Sequence, residues 1–330
     1  IVSRDWSSDV CSSDLAILRL LSQRRPDDER ALYAVTTPTL LMTSVRCAVP
    51  QQMAQQAAFS AERVDQELSA RASLRARRPL LYATLLLALL LAGVFSSSAV
   101  VACGSALLLA LAFLASIMLR LYACAASFVA PPHVLPVNDA ALPVYTIVIA
   151  LYREARIAQQ LSQAIDSLNY PRAKLDVIFV VEIDDHDTAA ALHAAAPQTP
   201  YEIVIAPKGA PRTKPRALNV AMPLARGALV AVFDAEDVPQ PEQLRRAAAL
   251  FATLPPEIAC LQASLVIDNA RQNWMTALFA MDYAALFDVY NRGLSTLALP
   301  IFLGGTSNHF RIEPLREIGF WDAFNVKIGR

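Results

Sequence analysis

Residues 228–237 read Ala228-Leu229-Val230-Ala231-Val232-Phe233-Asp234-Ala235-Glu236-Asp237, an apolar run that ends abruptly in carboxylates. A short continuous apolar run with polar residues at its end fits a strand buried on both faces. Acidic groups at the end of a buried strand are costly unless something compensates them. The same design occurs twice upstream. Tyr145 to Ala150 runs into Tyr152-Arg153-Glu154, and Val177 to Val181 runs into Glu182-Ile183-Asp184-Asp185. Helical patterns at Ala155 to Ser167, Thr188 to Ala195 and Pro215 to Leu224 separate these strands, with a short strand at Ile203 to Ile205. Such alternation predicts an α/β fold with a mostly parallel sheet sandwiched by helices. In open sheets of this kind ligands bind beyond the carboxyl ends of the strands, where this chain places its polar residues.

Those polar residues suggest a chemistry. Asp234 and Glu236 are two positions apart, so on an extended strand end they share a side, and a turn brings both onto one cation. Hard oxygen ligands suit Mg²⁺ or Mn²⁺, which grip diphosphates. Lys214, at the start of Lys214-Pro215-Arg216-Ala217-Leu218-Asn219, adds a point charge for phosphate at a helix N-terminus. Each cluster is weak by itself. A lone Asp-x-Glu reads as a solvated turn, Lys214 and Arg216 as surface charges, and Asp184-Asp185 as turn chemistry. Their order, and their place after successive strands, carry the reading of a site for a nucleoside diphosphate leaving group.

Composition narrows the classes. The 330 residues hold 29 Lys plus Arg against 29 Asp plus Glu, so no basic excess points to nucleic acid. Hydrophobic residues make up 55% and charged ones 18%, below the ~25% charged content of ordinary soluble domains. No G-x-G-x-x-G dinucleotide fingerprint occurs. Cys11, Cys47, Cys103, Cys124 and Cys260 form no C-x-x-C pair and read as inert buried thiols. A nucleotidyltransferase would need a Gly-rich loop after its first strand, and Leu151-Tyr152-Arg153-Glu154 has no glycine.

Two charge-free stretches, Pro79 to Phe95 and Ala99 to Leu119, flank Ser96-Ser97-Ser98. Their length fits a transmembrane hairpin over 79–119, since a span needs ~20 apolar residues. Arg71, Arg75, Arg77 and Arg78 before it and Arg120 after it place both ends, and the domain that follows, on the cytoplasmic side. Residues 120–142 read as a linker. Gln51 to Arg78 reads as helix, and 16–78 as part of a small α/β module. That module faintly resembles the N-terminal domain of type II secretion ATPases and would bind a nucleotide second messenger. Asn273 to Leu299 has helical spacing of Trp274, Leu278, Tyr283, Phe287 and Tyr290. It reads as a helix packed under the sheet or against a membrane face, with core packing favoured over sugar stacking. Residues 5–15 (DWSSDVCSSDL) and Lys327-Ile328-Gly329-Arg330 look like translated sequencing adapter. On that reading 1–15 and 327–330 are scars and both natural termini are missing.

From Pro143 to Val326 the chain resembles the membrane-bound glycosyltransferases of family 2, the cellulose-synthase-like group with a GT-A fold. The resemblance places Tyr152, Glu154, Asp184, Asp185, Lys214, Asn219 and Asp234 at the nucleotide-sugar. Asp234-Ala235-Glu236 stands for the Asp-x-Asp metal motif, with Glu in place of the second Asp and Asp237 as a substitute ligand. Gly304-Gly305-Thr306-Ser307-Asn308-His309-Phe310-Arg311 is similar to the acceptor-side segment. The resemblance thus implies acceptor roles for Gly305, Thr306, His309 and Arg311, and for Gln262, Trp321 and Asp322. It implies an inverting enzyme that moves a sugar from a nucleotide donor, UDP-linked, to a glycan or lipid-linked acceptor at a bacterial inner membrane. The family would continue after Val326 with Thr-Glu-Asp, whose Asp is the general base; here Lys327-Ile328-Gly329-Arg330 follows. Loss of a general base typically costs about 10²–10⁴ in rate. The expectation is an active enzyme when intact and, for this chain alone, a donor binder. The rival is a membrane-anchored pseudoenzyme that senses nucleotide-sugars.

Overall fold

Six strands form the centre of the protein: β1 (Tyr145–Leu151), β2 (Leu175–Glu182), β3 (Tyr201–Ala206), β4 (Leu229–Phe233), β5 (Cys260–Gln262) and β6 (Asn308–Arg311). They make one sheet in the order β3-β2-β1-β4-β6-β5. The first four run parallel, while β6 lies antiparallel to both β4 and β5. The computed structural model describes residues 44, 48–71, 77–95, 98–129 and 137–325. Two compact units are present, Ile1–Val49 and Pro50–Arg330. What the sequence suggests for residues 1–43 and 326–330, both adapter-like ends included, lies outside the described residues.

The central strands are apolar on both faces because both faces are covered. Tyr145, Ile147, Ile149, Val177, Phe179, Val181, Ala231 and Phe233 share one core with Leu161 and Ile165 of α5 (Ala158–Asp166) and Leu244, Ala248 and Phe251 of α8 (Gln243–Thr253). Alternate strand residues Val148, Ile178, Val180 and Val232 are equally buried and point to the opposite face. There α7 (Lys214–Ala221) crosses β1, β2 and β3. Helix α6 (His186–Ala195) follows β2, capped by Asp185. Strand β2 carries Asp176 and Glu182 because each has a cationic partner, Arg226 at 2.6 Å and Arg216 at 2.9 Å. Arg216 is 0% exposed, so the expectation of a surface charge there is corrected. The low dielectric that penalises Glu182 makes its guanidinium partner obligatory.

Before the sheet come α1 (Pro50–Ala58), α2 (Ser60–Val64), α3 (Arg77–Phe95) and α4 (Ala99–Ala126). The helix expected over 51–78 is broken at Asp65, whose extended backbone and side-chain bond to the Glu67 amide start a separate turn. Helices α3 and α4 pack together. Among the described residues only α4 is long and apolar enough to cross a membrane; the apolar stretch of α3 is Leu80–Gly93. A hairpin of two full spans is therefore not shown, and α4 extends into the expected linker. Cys103 and Cys124 lie exposed on α4 rather than buried, because that helix has almost no covered face.

The 273–299 stretch forms α9 (Trp274–Ala284), a π-helical segment (Ala285–Tyr290) and α10 (Asn291–Thr296). None of α9 is buried, with Trp274 73% and Met281 62% exposed. Of the two placements the sequence left open, the stretch takes the one against apolar α4: α10 and the π segment pack there, burying Phe287 and Leu294, while α9 stays uncovered. Gly293 makes that contact feasible, because a Cβ there would stand 1.9 Å from the Ala123 carbonyl oxygen.

Candidate active site

The order of the sheet fixes where a site can form. Strands β2 and β3 lie to one side of β1 and β4 to the other, so the chain reverses direction of winding between β1 and β4. The ends of such adjacent parallel strands open a crevice at that switch point. The register puts Leu151 beside Val181 and Ile149 beside Phe233, so the loops after β1, β2 and β4 emerge together.

Toward β2 the crevice is aromatic and cationic. The Arg212 guanidinium lies 4.1 Å over the Tyr152 ring, and that of Arg153 lies 5.0 Å from it. Arg212 also makes a two-pronged contact with Asp184, which holds the Asp184 carboxyl below its usual pKa. Arg153 has φ of 60°, a conformation unusual for a non-glycine residue. Asp185 holds the bend by accepting from the Arg153 amide, and the Thr188 hydroxyl accepts from the Glu154 amide. Asp185 is buried and caps α6, so of the acidic pair only Asp184 faces the crevice.

Toward β4 the crevice is charged. Lys214 bonds Asp234 and donates to the Gly305 carbonyl at 2.8 Å. It is held there because Thr213 caps α7, with its side chain accepting from the Arg216 amide. Burial first, then the charges of Glu236 and Asp234, raise the Glu154 pKa. One Glu154 oxygen, Oε2, is buried without a hydrogen-bond partner among the described residues. Asp237 is raised chiefly by burial, and its Oδ2 accepts from the Thr306 hydroxyl and the Asp234 amide.

This donor set can be tested against the divalent cation that the sequence suggests. Asp234, Glu236 and Glu154 are hard oxygen donors of the type such a cation takes, and the charges of the first two reach Glu154. Asp237 fits less well, since its oxygen is already bonded. No group of three or more His, Cys, Asp or Glu side chains is arranged as a ready cage among the described residues. Lys214 neutralises Asp234 instead.

The remaining expected residues divide by position. Gly305 and Thr306 reach the crevice. Gln262 stands behind them, accepting from the Gly304 amide at 2.6 Å and donating to the Thr306 carbonyl at 3.1 Å. His309 does not reach it: it is 1% exposed, between Tyr145 Oη at 2.6 Å and Gln243 Nε2 at 3.1 Å. Burial pushes its pKa down to about 4. Arg311 is at the far edge of the sheet, paired with the start of β4, where it donates to the Phe251 and Leu254 carbonyls. The antiparallel run of β6 explains this, since only its first residues point toward the crevice. Asn219 is buried and bonds Ala57, Ser60 and the Trp321 backbone. The Trp321 ring packs edge-on against Phe310, and Asp322 bonds Ser69 and Ala70. Arg212 escaped the sequence reading; its signal was a cation two residues before Lys214.

The chain is 25% identical over 213 residues to a beta-monoglucosyldiacylglycerol synthase of Trichormus variabilis, covering 63% of this chain and 44% of that one. It is 27% identical over 192 residues to a probable glucomannan 4-beta-mannosyltransferase of Arabidopsis thaliana, covering 55% of this chain and 34% of the plant protein. The chain thus spans less than half the length of these curated relatives. Among solved structures, a mannosyltransferase of Pyrobaculum calidifontis in complex with GDP-Man and Mn²⁺ is similar, with a TM-score of 0.48 and 22% identity. That match covers 62% of this chain and 56% of the other. The profile of the family described as "Glycosyltransferase like family 2" matches residues 142–328. With over half of its length inside that match, the chain belongs to the glycosyltransferase-like family 2.

Proposed function

We propose that this chain carries the donor site of an inverting glycosyltransferase. The enzyme moves a sugar from a nucleotide donor, UDP-linked, onto a glycan or lipid-linked acceptor. The observation that carries the reading is the two-part crevice at the β1–β4 switch point. Tyr152 with Arg212 and Asp184 offers a flat, polar-edged seat for a base. Lys214 with Asp234, Glu236 and Glu154 forms a charged seat for a diphosphate. Asp234 and Glu236, with Glu154 beside them, would hold Mg²⁺ or Mn²⁺, which when bound stabilises the charge of a departing diphosphate.

Lys214 delivers positive charge to the same place, and the open space around Gly305 leaves room for a sugar against the backbone. In the transfer, an acceptor oxygen forms a bond to the anomeric carbon as that carbon's bond to the diphosphate breaks. The electron pair leaves with the diphosphate, and the acceptor hydroxyl gives up its proton to a general base, a role this reading assigns to none of the described residues. Apolar α4, with α3 beside it, supports a membrane location with the sheet domain on the cytoplasmic face. Calorimetry of the chain with UDP tests the reading. Mn²⁺-dependent binding that disappears in Asp234→Ala is expected; equal binding by the variant would overturn the metal assignment.

A further inference from the structure

We infer that residues 50–71 are a clamp on the donor site, and that Asp322 and Asn219 are positioning residues through which the clamp holds Lys214. The inference rests on the donor-site reading above. Helix α1 packs along α7, the helix that Lys214 begins. Asn219, one turn further along α7, donates to Ala57 O at 2.8 Å and to Ser60 Oγ at 2.9 Å, and bonds both the carbonyl and the amide of Trp321. Asp322 accepts from Ser69 Oγ at 3.1 Å and from the Ala70 amide at 2.7 Å. Arg71 closes the end of the clamp. It lies 5.0 Å from the Phe59 ring and 5.3 Å from the Phe324 ring, paired with Glu62 at 3.0 Å.

Two glycines mark where the clamp touches down. A Cβ on Gly209 would stand 2.8 Å from that of Ala54, and one on Gly319 would stand 2.5 Å from Ser60 O. Gly319 also has φ of +73°, which suits glycine alone without strain. The link to the site is short. Ala323, next to Asp322, accepts from Thr213 Oγ at 2.9 Å, and Thr213 caps the helix at Lys214. The chain of contacts therefore runs from Ser69 through Asp322, Ala323 and Thr213 to Lys214 and Asp234.

Because Lys214 serves the phosphate seat and not the base seat, loosening the clamp should weaken diphosphate recognition selectively. The test uses the full chain in detergent, with UDP and UMP as probes in MgCl₂. Asp322→Ala and, from the clamp side, Ser69→Ala are each expected to weaken UDP binding about threefold to tenfold, with UMP binding changed less than twofold. Hydrogen exchange of the 319–325 amides should rise about fivefold in both alanine variants, with or without nucleotide. Unchanged exchange in Ser69→Ala and Asp322→Ala would overturn the clamp, as would equal losses for UDP and UMP. Absence of UDP binding by the wild type would instead defeat the donor-site reading, while the exchange result still decides the clamp.

Discussion

The two sides of the seam between β4 and β6 treat their polar residues differently. Where β1, β2 and β4 run parallel, the loops that follow them emerge at the crevice and carry Glu154, Asp184 and Asp234 to its two sides. Across the seam β6 runs backward, so Arg311 ends at the opposite edge and His309 turns into the core. A polar residue near the end of a strand is thus a candidate for ligand binding only if the strand's direction is known. Lys214 and Arg311 show the contrast: one cation bonds a carboxylate in the crevice, the other bonds the carbonyls that end α8.

The largest way to break the comparison lies on the parallel side. Arg216→Met leaves buried Glu182 with only the longer contact to half-exposed Arg212 at 3.8 Å, and should lower stability by about 3 kcal/mol. Chemical denaturation measures this, and a loss below 1 kcal/mol would mean that water reaches Glu182. Next is His309, whose folded pKa of about 4 lies below its ordinary value of about 6.5. Between those pH values the unfolded chain binds a proton that the folded chain does not. Stability should be flat above that window and fall by about 3 kcal/mol as pH drops through it. His309→Gln should flatten that part of the pH profile.

A sharper contrast comes from two alanine variants. Lys214→Ala should weaken UDP binding about tenfold and leave the melting temperature nearly unchanged. Arg311→Ala should do the reverse, lowering Tm by several degrees with UDP affinity intact. If Arg311→Ala also lost UDP, the seam would not divide ligand-binding residues from packing ones. The smallest effect is expected at Arg212, which is exposed. Arg212→Ala should weaken UDP about twofold to fivefold by removing the cation from the Tyr152 ring. The loss should be the same for UMP, since the contacts of Arg212, with Tyr152, Asp184 and Glu182, all lie on the β2 side of the crevice.

The sequence made the parallel half legible because its signals are local. Val177 to Val181 and Ala228 to Phe233 are apolar runs ending in acids, and the helices between them have apolar residues at helical spacing. Three kinds of feature were not legible. Strand β6 is four residues long, Asn308-His309-Phe310-Arg311, too short to show a period, and no pattern records its direction. The burial of Arg216 depends on Glu182, thirty-four positions earlier, a pairing that only the fold creates. Asn219 and Asp322 sit within motif-like stretches, yet their partners at 57–70 belong to a segment read as part of a separate module. Residues 273–299 left their partner open for another reason. Apolar residues at helical spacing say that a face avoids water, but not whether a sheet or another apolar helix covers it.

The contact at Gly293 has a mechanical consequence. Backbone meets backbone there, and Arg292 adds a bond to the Val129 carbonyl at 2.7 Å. With no side chain between them, α10 and α4 have no room to slide closer and no compliant layer to absorb rotation. Any side chain larger than hydrogen at 293 would have to push α10 off α4, so the spacing of these two helices is set by their backbones alone.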